Sequence, residues 1–140
     1  MTIILPIALT TAAGAALINL WLGWRVGKVR IAEKISIGDG GNPRLIARMR
    51  AQLNFAEYVP VVLILIGLIE AAMGTQLWLW VVSGVFLLGR VLHGFGMDGG
   101  RLARGLGIYS TMLIMLGLAG YAVTIPYLTQ SPPVRTMMLR

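Results

Sequence analysis

Four long apolar stretches alternate with short polar segments along the 140-residue chain. At a rise of about 1.5 Å per residue, about 20 residues cross a hydrocarbon core of about 30 Å. The stretches are residues 3–24, 56–73, 76–96 and 105–129. The pattern therefore predicts one all-α domain, 1–140, an integral membrane four-helix bundle with helices at about 2–30, 43–73, 76–97 and 101–130.

The second predicted helix must begin in polar sequence. Too few uncharged residues separate Glu57 from Glu70 to span a bilayer, so the preceding segment RMRAQLNFAEYVP must also be helical. Polar groups at membrane depth are tolerated where they face protein or water. At 100° per residue Arg50, Asn54 and Glu57 form one narrow stripe. We predict that this stripe faces a cleft, and a structural network between helices 2 and 3 is the alternative interpretation.

Composition and charge support a membrane protein. The chain is 57% hydrophobic and 12% charged, with a mean hydropathy of +0.81. Its net charge of +7 comes from basic residues concentrated in the first and third connections. By the positive-inside rule both connections are cytoplasmic and both termini face away from the cytosol. Attraction to membrane lipids of negative charge is a further effect, and no nucleic-acid partner is predicted.

The remaining polar residues have simpler interpretations. Lys28, Lys34, Arg44 and Arg48, taken singly, are expected to extend to lipid headgroups, and Glu70 is expected to be a solvated helix end. The chain has no cysteine and one histidine, His93. No metal site is therefore predicted, and any thiol must arrive with the substrate.

Three motifs resemble the MAPEG family, the membrane-associated proteins in eicosanoid and glutathione metabolism. RAQLNFAEYVP resembles the family's helix 2 pattern Arg-Ala-x-x-Asn-x-x-Glu-x-x-Pro. GRVLHG, with Arg90 and His93, resembles the helix 3 element of its prostaglandin E synthase branch. Arg104 and Tyr109 are similar to the arginine and tyrosine that open helix 4 in the leukotriene synthase branch. Met97 departs from the tyrosine of better-known members.

The resemblance implies a homotrimer that binds glutathione as cosubstrate at the cytoplasmic side, between subunits. It implies a bacterial branch, located in the inner membrane. The residues implied to hold glutathione are Arg30, Arg50, Gln52, Asn54, Glu57, Tyr58, Arg90, His93 and Tyr109. Arg104 is implied to face the sulfur as the catalytic residue.

The predicted function is that of a membrane-bound glutathione transferase or peroxidase. It would activate glutathione as a thiolate that attacks a lipophilic electrophile or hydroperoxide dissolved in the bilayer. The alternative is a non-catalytic MAPEG scaffold that binds lipid or glutathione. A small four-helix transporter is less favoured, because such a protein needs a carboxylate deep in a membrane helix, typically the first, and helix 1 has none.

Overall fold

The computed structural model describes residues 5–128 and contains four helices and no strand within that range. All four are long and apolar enough to cross a membrane by length and composition. The helices are α1 Pro6–Glu33, α2 Pro43–Met73, α3 Leu77–Gly96 and α4 Arg101–Leu128. The predicted all-α, four-helix class is confirmed. The predicted start of the first helix, near residue 2, and the predicted end of the fourth helix, near residue 130, lie outside the described residues.

Helix α1 runs to Glu33, three residues beyond the predicted end at Arg30. Lys34 ends it in the left-handed conformation, with φ of 55°, and donates its backbone N–H to the carbonyl of Ile31 at 3.4 Å. Glycine is the usual residue in this conformation. Because a lysine adopts it here, the sequence carries no clear signal for the true end of the helix.

The start of α2 is fixed by local capping. Asn42 Oδ1 accepts the backbone N–H groups of Arg44 at 3.0 Å and Leu45 at 3.1 Å. Pro43 occupies the first turn, where its missing N–H has no intrahelical partner to lose. This cap holds the polar first turns of α2 helical, as the short apolar stretch requires.

Glu70 caps α1 from the neighbouring helix. Its carboxylate is 1% exposed and accepts the backbone N–H groups of Ile7 at 3.0 Å and Ala8 at 2.8 Å. The Thr75 hydroxyl also donates to it at 3.0 Å. Leu5 precedes α1 and offers no side-chain cap, so these first-turn amides need an acceptor from elsewhere. The prediction that Glu70 is a solvated end was wrong.

Helices α3 and α4 approach closely near the predicted cytoplasmic end. A Cβ atom at Gly107 would lie 2.6 Å from the Gly89 carbonyl oxygen and 2.8 Å from the His93 Cα. Only a glycine permits this separation. The contact brings the last turns of α3 against the first turns of α4, so residues of both helices lie near one another there.

The outer faces of the bundle are apolar. Leucines on all four helices are more than half exposed, including Leu17, Leu20, Leu68, Leu88, Leu113 and Leu116. A contiguous apolar exterior of this kind is covered by lipid or by another subunit. Against this apolar exterior, the polar side chains near the ends of the helices are the candidates for function.

Candidate functional site

A cleft of about 190 Å³ lies between α2 and the end of α3. We call it the α2 cleft. Its lining residues are Arg50, Leu53, Asn54, Glu57, His93 and Met97. The structure thus brings the predicted stripe of α2 together with the histidine of α3, because the helical repeat places residues 50, 54 and 57 on one face.

The two charged groups of this cleft have no internal partner. Arg50 and Glu57 are both exposed. Neither forms an ion pair with the other or with any other side chain of residues 5–128, where both ion pairs involve Asp98. A guanidinium and a carboxylate presented in this way can bind the complementary charges of a zwitterionic ligand.

Arg90 lies behind the α2 cleft and orients the side-chain amide of Asn54. The side chain is 1% exposed, and its Nη2 donates to Asn54 Oδ1 at 2.7 Å. Its Nη1 donates to Thr111 Oγ1 at 3.2 Å, and the Thr111 hydroxyl donates to the Gly107 carbonyl at 2.8 Å. Arg90 also lies 5.7 Å from the centroid of the Phe55 ring. This arrangement connects α2, α3 and α4 and leaves the Asn54 NH₂ group for the cleft.

His93 is 3% exposed, and its Nδ1 has no hydrogen-bond partner among residues 5–128. The imidazole interacts electrostatically with Arg90 and with Arg104, which is exposed in the first turn of α4. Buried polar atoms are almost always hydrogen-bonded. The Nδ1 of His93 is an exception, and it is itself buried rather than open to the cleft.

The other predicted residues lie outside the α2 cleft. The Arg30 guanidinium donates to the carbonyl of Gly38 at 2.9 Å, in the connection between α1 and α2. Gln52 faces α1, where its Nε2 lies 3.2 Å from the position of a Cβ atom on Gly23. Tyr109 is 70% exposed. The single chain does not bring these side chains to the cleft.

Tyr58 lies on the inner side of the stripe. It is half-buried and interacts electrostatically with Arg90. It is not among the side chains that line the cleft. Its predicted contact with glutathione therefore stays a prediction.

Sequence reasoning missed a second polar group, the Asp98 cluster, made of Arg25, Arg48 and Asp98. The two arginine side chains are 7% and 12% exposed. Arg25 pairs with Asp98 and donates to the Gly94 carbonyl at 2.6 Å. Arg48 donates to Asp98 Oδ1 at 3.2 Å and to the Arg25 carbonyl at 3.0 Å. Arg48 thus turns inward, and the prediction that it extends to headgroups was wrong.

The pKa of Asp98 reflects these partners. Burial of the carboxyl acts to raise its pKa, but the hydrogen bond from Arg48 and the charges of Arg25 and Arg48 outweigh it. The pKa therefore lies below its ordinary value. The signal that could have identified this residue is its rarity, since the chain has 5 acidic residues and 12 basic ones.

Comparison with known proteins settles the family. The sequence profile of the MAPEG family matches residues 8–124, which include all four described helices in whole or in large part. The chain belongs to the MAPEG family. The resemblance predicted from the helix 2 motif is thereby confirmed, and the four helices are those of an integral, multi-pass MAPEG bundle.

A curated relative of this MAPEG chain is the inner membrane protein YecN of Escherichia coli. The two are 30% identical over 83 residues, and the same values hold for YecN of a second Escherichia coli strain. The aligned segment is 59% of this chain and 63% of YecN, so the chain covers less than two thirds of the relative's length.

Proposed function

We propose that the protein is a glutathione transferase of the bacterial inner membrane, with hydroperoxide reduction as a second reaction of the same thiolate. The observation that carries the proposal is the α2 cleft, in which Arg50, Asn54 and Glu57 converge without an internal ion pair. Membership of the MAPEG family supports it. The match to an inner membrane protein supports the location.

The charges of glutathione are complementary to this cleft. The tripeptide carries two carboxylates and one ammonium group, so Arg50 binds a carboxylate and Glu57 accepts from the ammonium. The Asn54 NH₂ group, oriented by Arg90, donates to a peptide carbonyl. The bonds of Arg50 and Glu57 to charged groups are charge-assisted, and such bonds are about twice as strong as neutral ones.

Arg104 is the group that stabilises the thiolate. A free thiol has a pKa of about 8.5, so little of it is ionised at neutral pH. Lowering that pKa by about two units takes about 2.7 kcal/mol. One guanidinium at about 4 Å, with an effective dielectric constant near 20, supplies about 4 kcal/mol. Arg104 is exposed and forms no ion pair within residues 5–128, so its charge is available for this role.

Two reactions follow from the thiolate. In transfer, the sulfur attacks an electrophilic carbon and the leaving group departs with its bonding electrons. In peroxide reduction, the sulfur attacks one peroxide oxygen, which releases an alcohol and leaves a sulfenic acid. A second glutathione then displaces water and forms the disulfide. The lipophilic substrate arrives from the bilayer, and glutathione arrives from the cytosol.

We propose a homotrimer, the assembly that the MAPEG resemblance implies, and an assembly of subunits is supported because the single chain leaves part of the predicted site unassembled. Arg30 and Gln52 lie away from the α2 cleft of their own chain, and Tyr109 is exposed on α4. In the proposed assembly Arg30 contributes to the cleft of a neighbouring subunit. The proposed orientation places this end of the bundle, with its basic connections, in the cytoplasm.

A non-catalytic glutathione-binding scaffold is the second candidate. The observation that favours it is Met97, which lines the α2 cleft and offers a thioether where a hydroxyl would donate to a thiolate. Under this alternative the protein binds glutathione at the cleft and does not activate it.

Turnover separates the two candidates. Purified protein is assayed at saturating glutathione with 1-chloro-2,4-dinitrobenzene and with cumene hydroperoxide. We expect turnover in the native protein and about a twentyfold loss in Arg104→Ala, because the thiolate fraction at neutral pH falls by about that factor. Arg101→Ala, exposed three residues earlier in the same helix, is the control and keeps full activity.

Three results would contradict the proposal, and each contradicts a different part of it. Full activity in Arg104→Ala removes that residue from catalysis. Glutathione binding without turnover of either probe in the native protein supports the scaffold, and absence of glutathione binding makes the α2 cleft structural.

A further inference from the structure

A second pocket, of about 400 Å³, opens beside the Asp98 cluster and shares no lining residue with the α2 cleft. It lies between the last turns of α1, the first turns of α2 and the end of α3. We call it the indole pocket. Its walls include Trp21, Trp24, Arg25, Lys28, Arg44 and Arg48.

Two of its cations remain without a carboxylate. Arg25 and Arg48 are occupied by Asp98. Lys28 and Arg44 form no ion pair within residues 5–128, where the salt bridges are confined to that aspartate. Glu33 also lines the pocket, so four cationic residues face two carboxylates. The pocket therefore keeps an excess of positive charge.

Two cations of the pocket are held over aromatic rings. The Lys28 Nζ lies 4.5 Å from the centroid of the Trp24 ring. The Arg25 guanidinium lies 4.7 Å from the ring centroid of Trp21 and 5.5 Å from that of Phe95. Indole rings are enriched at the headgroup level of membranes, where one edge is apolar and the other is wet. The pocket has the chemistry of that interface.

An apolar strip leads from the pocket toward the middle of the bilayer. Leu17, Leu20 and Trp24 are exposed at 68%, 70% and 59%. At 100° per residue they and Lys28 share an arc of about 80° on α1. The positive pocket and the apolar strip together match a molecule that has an anionic head and a hydrocarbon tail.

We propose that the indole pocket binds the phosphate of an anionic glycerophospholipid between Lys28 and Arg44, with an acyl chain along the strip. Basic pockets between transmembrane helices on the cytoplasmic side bind anionic headgroups. The strip distinguishes a lipid from free phosphate, because a free anion gains nothing from apolar surface. This assignment is independent of the proposed enzymatic activity, since the two pockets share no residue.

The test is native mass spectrometry of the detergent-solubilised protein, titrated separately with phosphatidylglycerol, phosphatidylcholine and inorganic phosphate. We expect phosphatidylglycerol to bind preferentially to the native protein. The double variant Lys28→Gln, Arg44→Gln should bind it about twenty-five-fold more weakly, from about fivefold for each charge removed.

The control is Lys34→Gln, Arg101→Gln, which lowers the net charge equally at two exposed positions outside the pocket. It should stay within about twofold of the native protein. Equal weakening in this control would reduce the effect to general electrostatics and overturn the site. Equal affinity for the two lipids, or displacement of the lipid by millimolar phosphate, would also overturn it.

A second measurement uses no charge variant, so its result does not depend on whether the charge variants fold. In the variant Trp78→Phe, Trp80→Phe, only Trp21 and Trp24 remain as indoles, both at the pocket. In nanodiscs, brominated phosphatidylglycerol should quench their fluorescence more than brominated phosphatidylcholine at the same mole fraction. Equal quenching by the two lipids contradicts the proposal.

Discussion

The Asp98 cluster and the α2 cleft both combine arginine with an acidic residue at the same end of the bundle, yet they differ in how these charges are satisfied. Arg25 and Arg48 share the Asp98 carboxylate, and each also donates to one backbone carbonyl. Arg50 and Glu57 have no ion-pair partner within residues 5–128. A buried arginine with its own carboxylate holds helices together, whereas unpaired charges at a cleft are available to a ligand.

The largest expected effect comes from removing the shared carboxylate. Asp98→Asn leaves two largely buried guanidinium groups without a counter-charge, and we expect a loss of about 2–3 kcal/mol in the free energy of unfolding. Glutathione affinity should stay unchanged. Thermal unfolding in detergent and a glutathione titration measure the two quantities.

The matched control is Asp39→Asn. Asp39 lies in an exposed connection, where its Oδ1 accepts the backbone N–H of Gly41 at 2.8 Å, a bond that asparagine can retain. Equal destabilisation by the two substitutions would show that the Asp98 cluster has no special structural role.

Glu57 and Glu70 allow the same substitution at both kinds of site on one helix. Glu70→Gln weakens the cap on the amides of Ile7 and Ala8 and should cost about 1–2 kcal/mol of unfolding free energy. Glu57→Gln should weaken glutathione binding about tenfold, because a charge-assisted bond to the ammonium is lost.

Each variant should leave the other's property unchanged. Unfolding midpoints and calorimetric titration of both proteins make the comparison. Loss of stability in Glu57→Gln, with glutathione affinity intact, would assign the stripe of α2 to structure.

These two glutamates also show what can be predicted from sequence. The stripe of Arg50, Asn54 and Glu57 follows from the helical repeat within one segment, so its convergence was predictable. Glu70 meets Ile7 across 63 positions, and Arg25 meets Asp98 across 73. No local pattern indicates such partners, because they depend on how the helices pack.

The helices themselves were easier to predict from the sequence than their ends. Each apolar stretch has the length that a bilayer requires, so their number and order follow from hydropathy. The end of α1 could not be predicted, because Lys34 rather than a glycine takes the left-handed conformation. The positions of Arg30, Gln52 and Tyr109 outside the cleft likewise depend on packing.

Thr111 is buried, and through Arg90 it also supports Asn54 in the α2 cleft. Its substitution should therefore have a moderate effect on both stability and glutathione affinity. Thr111→Val removes the acceptor for Arg90 Nη1, at 0% exposure, and should cost about 1 kcal/mol of unfolding free energy. Because Arg90 also orients Asn54, glutathione affinity should fall about threefold. Thermal unfolding and calorimetric titration check the two effects. Thr124→Val is the control, since its hydroxyl donates to the carbonyl of Tyr121 at an exposed site.

The smallest expected effect is a dependence of stability on pH. The pKa of Asp98 is lower in the folded protein than its ordinary value of 3.8. Its stabilising contribution is therefore complete above that value and is lost as the pH falls through the folded pKa. The unfolding midpoint of the native protein should decrease over this acid range more than that of Asp98→Asn. Parallel curves for the two proteins would contradict the assignment.

The ionisation of bound glutathione is tested most directly by an ultraviolet difference titration of glutathione into the detergent-solubilised protein at neutral pH, with Arg104→Ala and Arg101→Ala alongside. We predict a saturable thiolate absorbance in the native protein and in Arg101→Ala. In Arg104→Ala the absorbance should disappear while glutathione still binds. Equal thiolate absorbance in all three proteins, or saturable binding with no thiolate in any, would contradict the role proposed for Arg104.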